Sequence, residues 1–285
     1  MSANSCQFHL ARMGEHHEHR PLVLLLHGFP EYWWAWRGQI EAIAAAGFEV
    51  AAVDTRGIAG SDKMPNSADG LTLGLDVAAI AQSLGASSAV VIGHGRGGEH
   101  AWASAALNPS VVRGVMTVSS PHPRKLQRVG LHVTLKTWRN VAATFLPHIA
   151  HRGLRDERVI RRILTHWSAP GNDGAASQSA RYTEILRLPE AAQVAVDQLR
   201  WAYTSQQRPS GRKFFKMTSR PVPCPVWEVR GSLDPLLPAR AWAHDAMLTT
   251  SEYRFVTIPE AGHFVPEEQP EAMNEVIIEF LQRFV

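Results

Sequence analysis

The sequence predicts an α/β fold built on a mostly parallel, doubly wound sheet. Short runs at residues 22–26, 48–53 and 89–92 are apolar except for Glu49 and lack polar alternation, as is typical of strands buried on both faces. Segments with helical spacing follow these runs. Such strand–helix alternation indicates a parallel sheet with right-handed crossovers.

The alternation is interrupted once along the chain. It stops at the Ser-Pro-His-Pro segment 120–123 and resumes after the proline-rich segment 221–225, and the residues between them have helical spacing. We therefore predict a core domain of residues 1–121 and 222–285 that carries an inserted helical cap domain of residues 122–221.

The core elements follow from apolar periodicity and from glycine stops. The predicted strands are residues 7–13, an edge strand, and residues 22–26, 48–53, 89–92, 114–118, 226–229 and 253–258. The predicted helices of the core are residues 34–46, 73–84, 99–107, 238–247 and 271–284. Gly47 and Gly85 are expected to end the first two of these helices.

Composition is that of an ordinary globular protein of 285 residues, with 45% hydrophobic and 19% charged residues. No apolar run approaches the roughly 20 residues needed to span a bilayer, so we expect no membrane span. The first residues lack a basic segment followed by an apolar one, and Cys6 and Cys224 are far apart. Free thiols without an export signal favour a cytoplasmic location.

Charge is unevenly distributed along the chain. Residues 121–222 hold 18 Lys and Arg against 6 Asp and Glu, a net charge of +12, which leaves −9 for the rest of the chain. The basic residues are scattered at helical spacing and no nucleic-acid motif accompanies them. A solvated helical face therefore explains them better than nucleic-acid binding, which we do not expect.

The most informative motif is Gly-His-Gly-Arg-Gly-Gly at residues 93–98, between a predicted strand and a predicted helix. This setting is typical of a nucleophile elbow, G-x-Nu-x-G, in which the central residue attacks the substrate. That position is Gly95, which has no side chain. Glycine also suits the positive φ that the turn requires, so it is expected to relieve strain while it removes the nucleophile.

Further motifs follow other predicted strands. They are His-Gly-Phe-Pro-Glu at residues 27–31, Asp-Thr-Arg-Gly at 54–57, Gly-Ser-Leu-Asp at 231–234 and Ala-Gly-His-Phe at 261–264. Together and in this order, over nearly the whole chain, they resemble the α/β-hydrolase superfamily, and particularly its epoxide-hydrolase branch. The resemblance implies an α/β-hydrolase fold with a mostly parallel doubly wound sheet and an inserted helical cap. We also expect Arg56 and Asp62 to form a structural bridge.

The resemblance assigns the remaining members of a hydrolase site. It implies that Asp234 orients His263 and that His263 acts as the base, with Gly95 at the nucleophile position. The backbone N–H groups of Phe29 and Arg96 are expected to form the oxyanion hole. The Phe29–Pro30 bond is expected to be cis, as this turn often is in the family.

The expected ligand is a small, largely apolar organic molecule, and no cofactor or metal is implied. The predicted pocket residues are His27, Pro30, Trp34, Tyr182 and Tyr203.

The cap departs from the epoxide-hydrolase pattern, in which two tyrosines donate to the epoxide oxygen. Ala202 best matches one of these tyrosines, with Tyr203 displaced by one residue, which is about 100° of helix rotation. Trp138 or Phe145 stands near the other tyrosine position. Arg96 replaces the tryptophan that follows the nucleophile in haloalkane dehalogenases, which disfavours halide chemistry.

Residues 93–98 also spell the dinucleotide fingerprint G-x-G-x-x-G. That fingerprint requires an acidic residue at the end of the next strand, where this chain has Ser119 and Ser120. Nicotinamide binding is therefore disfavoured.

Three functions remain open at this point. The first is an epoxide-hydrolase-like protein that is weakly active or inactive because its nucleophile is missing. The second is an enzyme that needs only His263 and Asp234 as a general base, of a water-activating, lyase or cofactor-free oxygenase type. The third is a non-catalytic protein that binds or senses a small ligand. The sequence is compatible with a homodimer.

Overall fold

A computed structural model of the protein describes residues 1–17, 20–64, 69–124, 147–242 and 244–285. Two short strands, β1 (Ser2–Ala3) and β2 (Cys6–Gln7), form a hairpin. The central sheet comprises β3 (Leu10–Met13), β4 (Leu22–Leu26), β5 (Val50–Val53), β6 (Ala89–His94), β7 (Val112–Val118), β8 (Val226–Gly231) and β9 (Tyr253–Ile258). Its order is β3-β5-β4-β6-β7-β8-β9, and all pairs are parallel except β3 with β5. The predicted mostly parallel sheet is confirmed.

Helices lie between the strands of this sheet and after the last of them. They are α1 (Arg37–Ala45), α2 (Gly70–Ser83), α3 (Arg96–Leu107), α4 (Pro147–Gly153), α5 (Glu157–Trp167), α6 (Ser179–Arg187), α7 (Ala191–Thr204), α8 (Pro209–Thr218), α9 (Val265–Glu268) and α10 (Pro270–Phe284). Short 3₁₀ helices cover Trp33–Trp36, Ala176–Gln178, Ser205–Gln207, Ala239–Trp242 and Asp245–Leu248. Within the described ranges, no helix is both long and apolar enough to cross a bilayer.

Three local predictions are wrong. The helix expected over residues 238–247 is two separate 3₁₀ turns, because His244 has a φ of +71° that a continuous α-helix cannot contain. The edge strand expected over residues 7–13 is divided between β2 and β3. Arg56 does not bridge to Asp62: its guanidinium pairs with Asp76 at 2.6 Å, and Asp62 accepts from the backbone N–H of Gln7.

The alternating side chains of β4 explain why the sheet is covered on both faces. Leu22, Leu24 and Leu26 pack in one apolar cluster with residues of α2 and α3. Val23 and Leu25 pack on the opposite face with residues of α1 and α10. All five side chains are buried, which accounts for the uninterrupted apolar run in the sequence.

Helices α4 to α7, which lie between β7 and β8 in the chain, contribute to a third apolar cluster. Ile160, Leu164 and Tyr182 of these helices pack with Phe264, which follows β9, and against the partly buried Phe29, which follows β4. These helices therefore cover loops at the carboxyl end of the sheet. The exact division into core and cap at residues 121 and 222 stays a prediction.

Candidate active site

Four strands deliver the predicted site residues to the carboxyl edge of the sheet. Phe29 follows β4, Gly95 follows β6, Asp234 follows β8 and His263 follows β9. The carboxyl ends of parallel strands meet at one edge, which is where open α/β sheets bind their ligands. The fold thus places four distant parts of the chain around one point.

Gly95 forms the sharp turn between β6 and α3. Its φ of +51° and ψ of −114° are strained for any residue with a side chain, and its N–H donates to the carbonyl of Val118 at 2.9 Å. A Cβ placed on Gly95 would lie 3.7 Å from Nε2 of His263 and 3.7 Å from Cα of Gly28. The space above Gly95 therefore admits a side chain and opens toward the histidine.

His263 is paired with Asp234. Nδ1 of His263 lies 3.0 Å from Oδ2 of Asp234, and both residues are 8% exposed. The other carboxylate oxygen, Oδ1, accepts from the backbone N–H groups of Leu236 and Leu237 at 2.7 and 3.2 Å. Because Asp234 is an acceptor, it favours the tautomer with a proton on Nδ1, which leaves Nε2 as the acceptor that faces Gly95.

Glu268 holds the loop that carries His263. Its carboxylate accepts backbone hydrogen bonds from Gly262 at 2.8 Å, Phe264 at 2.8 Å and Ala169 at 2.7 Å. The N–H groups on either side of His263 are therefore fixed by one buried side chain. Sequence reasoning missed this residue, because an acidic residue near the start of a helix does not reveal which backbone groups it accepts from.

The backbone N–H groups of Phe29 and Arg96 lie on the two turns that flank Gly95. Neither donates a hydrogen bond to any residue that the structure describes. The Phe29–Pro30 bond is cis, as expected. Both amides are therefore available to an acceptor in this part of the site.

A pair of residues that sequence reasoning also missed, Glu31 and His94, lies next to the turns at Gly28 and Gly95. Oε2 of Glu31 accepts from the N–H of Gly28 at 2.8 Å and contacts Nδ1 of His94 at 2.7 Å. Burial opposes charge on both groups, but their attraction prevails and raises the pKa of His94 while it lowers the pKa of Glu31. Nε2 of His94 donates to the carbonyl of His263 at 2.9 Å, so the pair also supports the histidine loop.

Glu267 adds a further buried carboxylate near Glu31. Arg37 donates to Oε1 of Glu267 at 2.7 Å. Burial, and then the negative charge of Glu31, raise the pKa of Glu267 to about 7. Burial, and then the charge of Glu267, also raise the pKa of Tyr182 well above its usual range. Tyr182 is therefore a neutral hydroxyl at ordinary pH.

A cavity adjoins the turn at residues 27–31. Predicted site residues His27, Phe29, Pro30 and Arg96 line it, together with residues of α6 and α7. Nε2 of His27 accepts from the N–H of Thr55 at 3.1 Å, and burial lowers the pKa of this histidine, so its ring is neutral.

The remaining predicted pocket residues lie elsewhere or beyond what is described. Trp34 donates from Nε1 to Gln178 at 3.0 Å, and Tyr182 packs edge-on against Tyr32 with ring centroids 5.8 Å apart. Neither lines this cavity. Tyr203 lies in α7 and its side chain is not among those described, and Trp138 and Phe145 also fall outside the described residues.

Comparison with known proteins agrees with this geometry. The alpha/beta hydrolase fold family matches residues 21–270. The AB hydrolase superfamily protein YfhM of Bacillus subtilis is 30% identical over 290 residues, which cover 99% of this chain and 96% of the relative. Epoxide hydrolase A of Mycobacterium tuberculosis is 28% identical over 294 residues, which cover 92% of this chain and 90% of the relative.

A solved structure shows the same relationship in three dimensions. Epoxide hydrolase A from Mycobacterium thermoresistibile superposes with a TM-score of 0.78 at 25% identity, over 99% of this chain and 97% of the other. The match covers both the sheet and the helices between its strands. The chain therefore belongs to the alpha/beta hydrolase fold family and has epoxide hydrolases among its relatives.

Proposed function

We propose that this protein has an epoxide-hydrolase-like site in which Gly95 occupies the position of the covalent nucleophile. The observation that carries the proposal is the arrangement of Gly95 and His263. The missing side chain would start 3.7 Å from Nε2 of a histidine that is already paired with Asp234. Ordinary covalent hydrolysis is then absent or slow.

The chemistry of such a site explains what the glycine removes. An aspartate at position 95 would attack an epoxide carbon, so that a carbon–oxygen bond forms to the enzyme and the ring carbon–oxygen bond breaks. The new alkoxide takes up a proton from water. His263 would then take a proton from water, and that water would hydrolyse the ester. Gly95 cannot form the ester, although the N–H groups of Phe29 and Arg96, which donate to no described residue, remain to stabilise an oxyanion.

The size of the expected loss follows from known triads. Removal of a triad nucleophile costs about 10⁶-fold in kcat, and about 10³- to 10⁴-fold acceleration over water persists from binding and the oxyanion hole. We infer that the rate at which this chain hydrolyses an epoxide is limited to a comparable acceleration over water.

A second candidate function uses His263 as a general base without a covalent intermediate. The hydrogen bond from Nδ1 to Asp234 favours it, because that bond leaves Nε2 free to accept a proton from a substrate or from water. A base of this kind serves water activation, lyase or cofactor-free oxygenase chemistry. If the protein binds a ligand tightly and turns nothing over, it is instead a binding or sensor protein.

The nucleophile proposal is tested by restoring the side chain. Wild type, Gly95→Asp and Gly95→Ala are assayed against a panel of simple epoxides such as styrene oxide, and Gly95→Ser against p-nitrophenyl esters. We expect turnover by Gly95→Asp only, because Gly95→Ala adds the same backbone strain without a carboxylate. A folded Gly95→Asp protein without turnover on any epoxide in the panel contradicts the proposal.

The general-base candidate is tested separately in the wild-type background. Any activity found for wild type should fall at least a hundredfold in His263→Ala, about the lower end of what general base catalysis supplies. A rate that His263→Ala leaves unchanged refutes this candidate.

A further inference from the structure

Arg96 carries two buried hydrogen-bond donors that have no partner in the part of the chain that the structure describes. Its side chain is 9% exposed and lines the cavity beside Phe29 and Pro30. Nη1 donates to Oε2 of Glu99, one turn along α3. Nε and Nη2 are buried and have no hydrogen-bond partner within the described part of the chain.

The two unused donors lie on one edge of the guanidinium. The N–H of Nε and one N–H of Nη2 are parallel in this planar group, so together they match the two oxygens of a carboxylate. Buried donors without partners are costly, and more so on a charged group. A ligand that accepts from both removes that cost, whereas a purely apolar ligand would leave it in place.

The charge balance around Arg96 favours an acceptor of low charge. Glu99 already balances the single positive charge of Arg96, so a carboxylate brings the three groups to a net charge of −1, whereas a phosphate dianion brings them to −2. Arg96 is also the first residue of the twelve-residue helix α3, whose N-terminal N–H groups favour a negative ligand.

The rest of the cavity suits an organic chain attached to such a group. His100 also lines it, and its Nε2 has no hydrogen-bond partner among the described residues. Burial, and then the charge of Arg96, lower the pKa of this histidine well below its usual range. The neutral ring adds one polar contact without a charge. Phe29, Ile185 and Leu199 supply apolar walls.

We propose that the cavity binds a small organic carboxylate, with its two oxygens on Nε and Nη2 of Arg96 and its apolar part between α6, α7 and the turn at Phe29. The inference rests on the proposed function, since the cavity adjoins the proposed oxyanion hole at Phe29 and Arg96, although Gly95, Asp234 and His263 are not among its lining residues. It concerns the side chain of Arg96, whereas the proposed oxyanion hole uses only the backbone N–H of this residue.

The test compares an acid with its neutral isostere. Isothermal titration calorimetry on the full-length wild-type protein measures the binding of butanoate and of butanamide, and the pair phenylacetate and phenylacetamide extends the range of size. We expect each carboxylate to bind at least about tenfold more tightly than its amide, because charge-assisted paired hydrogen bonds are lost in the amide. Equal binding of acid and amide overturns the proposal.

Variants at Arg96 show whether this side chain causes the preference. Arg96→Met is expected to abolish the preference for carboxylate over amide. Arg96→Lys keeps the charge but loses the paired donor geometry, so it should lose most of the preference. The exposed control Arg113→Met should leave the preference unchanged. A preference that survives in Arg96→Met refutes the inference. If Arg96→Met fails to fold, the wild-type comparison and Arg96→Lys still decide.

Binding is measured without turnover, so this result is distinct from the test of the nucleophile. Failure of Gly95→Asp to react with epoxides would refute the proposed function and leave the carboxylate preference measurable. Loss of the carboxylate preference would refute this inference alone.

Discussion

Nε2 of His263 faces Gly95, and a Cβ on that glycine would lie 3.7 Å from it. The distance is an ordinary van der Waals contact, so a side chain at position 95 would touch the histidine without displacing it. His263 is meanwhile held from behind by Asp234. The structure therefore places beside Gly95 the histidine and the carboxylate that the proposal treats as the base and its orienting acid.

Any side chain at position 95 should lower the stability of the protein. Gly95→Ala and Gly95→Asp force φ of +51° on a residue with a Cβ, which costs about 1–3 kcal/mol of unfolding free energy. Urea denaturation measures this loss. The control Gly38→Ala, in α1 and without a positive φ, should be neutral or stabilising. Equal effects at positions 95 and 38 would show that the turn is not strained.

Replacement of Glu268 should loosen the loop that carries His263. Glu268→Gln loses a carboxylate that accepts three backbone hydrogen bonds, and it places an NH₂ group against one of these donors. We expect a loss of about 2–4 kcal/mol in unfolding free energy, since bonds to a charged group are worth about 1.5–3 kcal/mol each and the amide oxygen retains part of them. Urea denaturation of Glu268→Gln and of the exposed control Glu271→Gln measures it. A loss of unfolding free energy in Glu268→Gln no larger than that in Glu271→Gln would contradict the role of Glu268 in holding the His263 loop.

Breaking the Glu31–His94 pair should be costly in a defined pH range. The pKa of Glu31 is lowered in the folded protein, so its contribution to stability is present above about pH 4.5 and is lost below it. The pKa of His94 is raised, so its contribution is present below pH 6.5 and is lost as pH rises beyond that value. Glu31→Gln should therefore destabilise by about 3–5 kcal/mol between these values. Chemical denaturation at pH 5.5, with the exposed Glu41→Gln as control, measures the loss. A difference under about 1 kcal/mol would show that the pair is not charged.

Glu267 should make stability fall as pH rises. Its pKa is about 7 in the folded protein against 4.5 unfolded, so the folded state binds the extra proton between these values and loses its advantage as pH increases through them. The stability of wild type relative to Glu267→Gln should decline by about 3 kcal/mol across this range. Denaturation at pH 4.5, 5.5, 6.5 and 7.5 measures the difference. The exposed control Glu260→Gln should show the same dependence of stability on pH as wild type. Parallel curves of stability against pH for wild type and Glu267→Gln would contradict the raised pKa of Glu267.

The sequence was sufficient for the sheet because burial on both faces leaves a strong pattern. Residues 22–26 form β4 as predicted, and the predicted strand at residues 89–92 lies within β6, with every residue of both strands buried. Motifs at strand ends also located Asp234 and His263, which the structure brings within hydrogen-bond distance. In a parallel sheet, residues that directly follow different strands lie close together at one edge, so this part of the site could be predicted from local sequence patterns.

The supporting contacts could not be predicted in the same way. Glu31 and His94 are 63 residues apart, and each has an ordinary structural explanation when taken alone. The three acceptor bonds of Glu268 depend on backbone directions that no apolar pattern encodes. Helical spacing over residues 238–247 predicts a single helix wrongly, because the spacing of apolar residues carries no information on the positive φ of His244.

The most direct test of the nucleophile position is a covalent trap. In Gly95→Asp/His263→Ala, the restored carboxylate can form an ester with an epoxide, but the base that hydrolyses the ester is absent. After incubation with styrene oxide, intact-protein mass spectrometry should show the gain of one epoxide, located by peptide mapping to residue 95, whereas His263→Ala alone should show none. Absence of an adduct on a folded double variant, or an equal adduct on His263→Ala, would contradict the account of Gly95 as the empty nucleophile position.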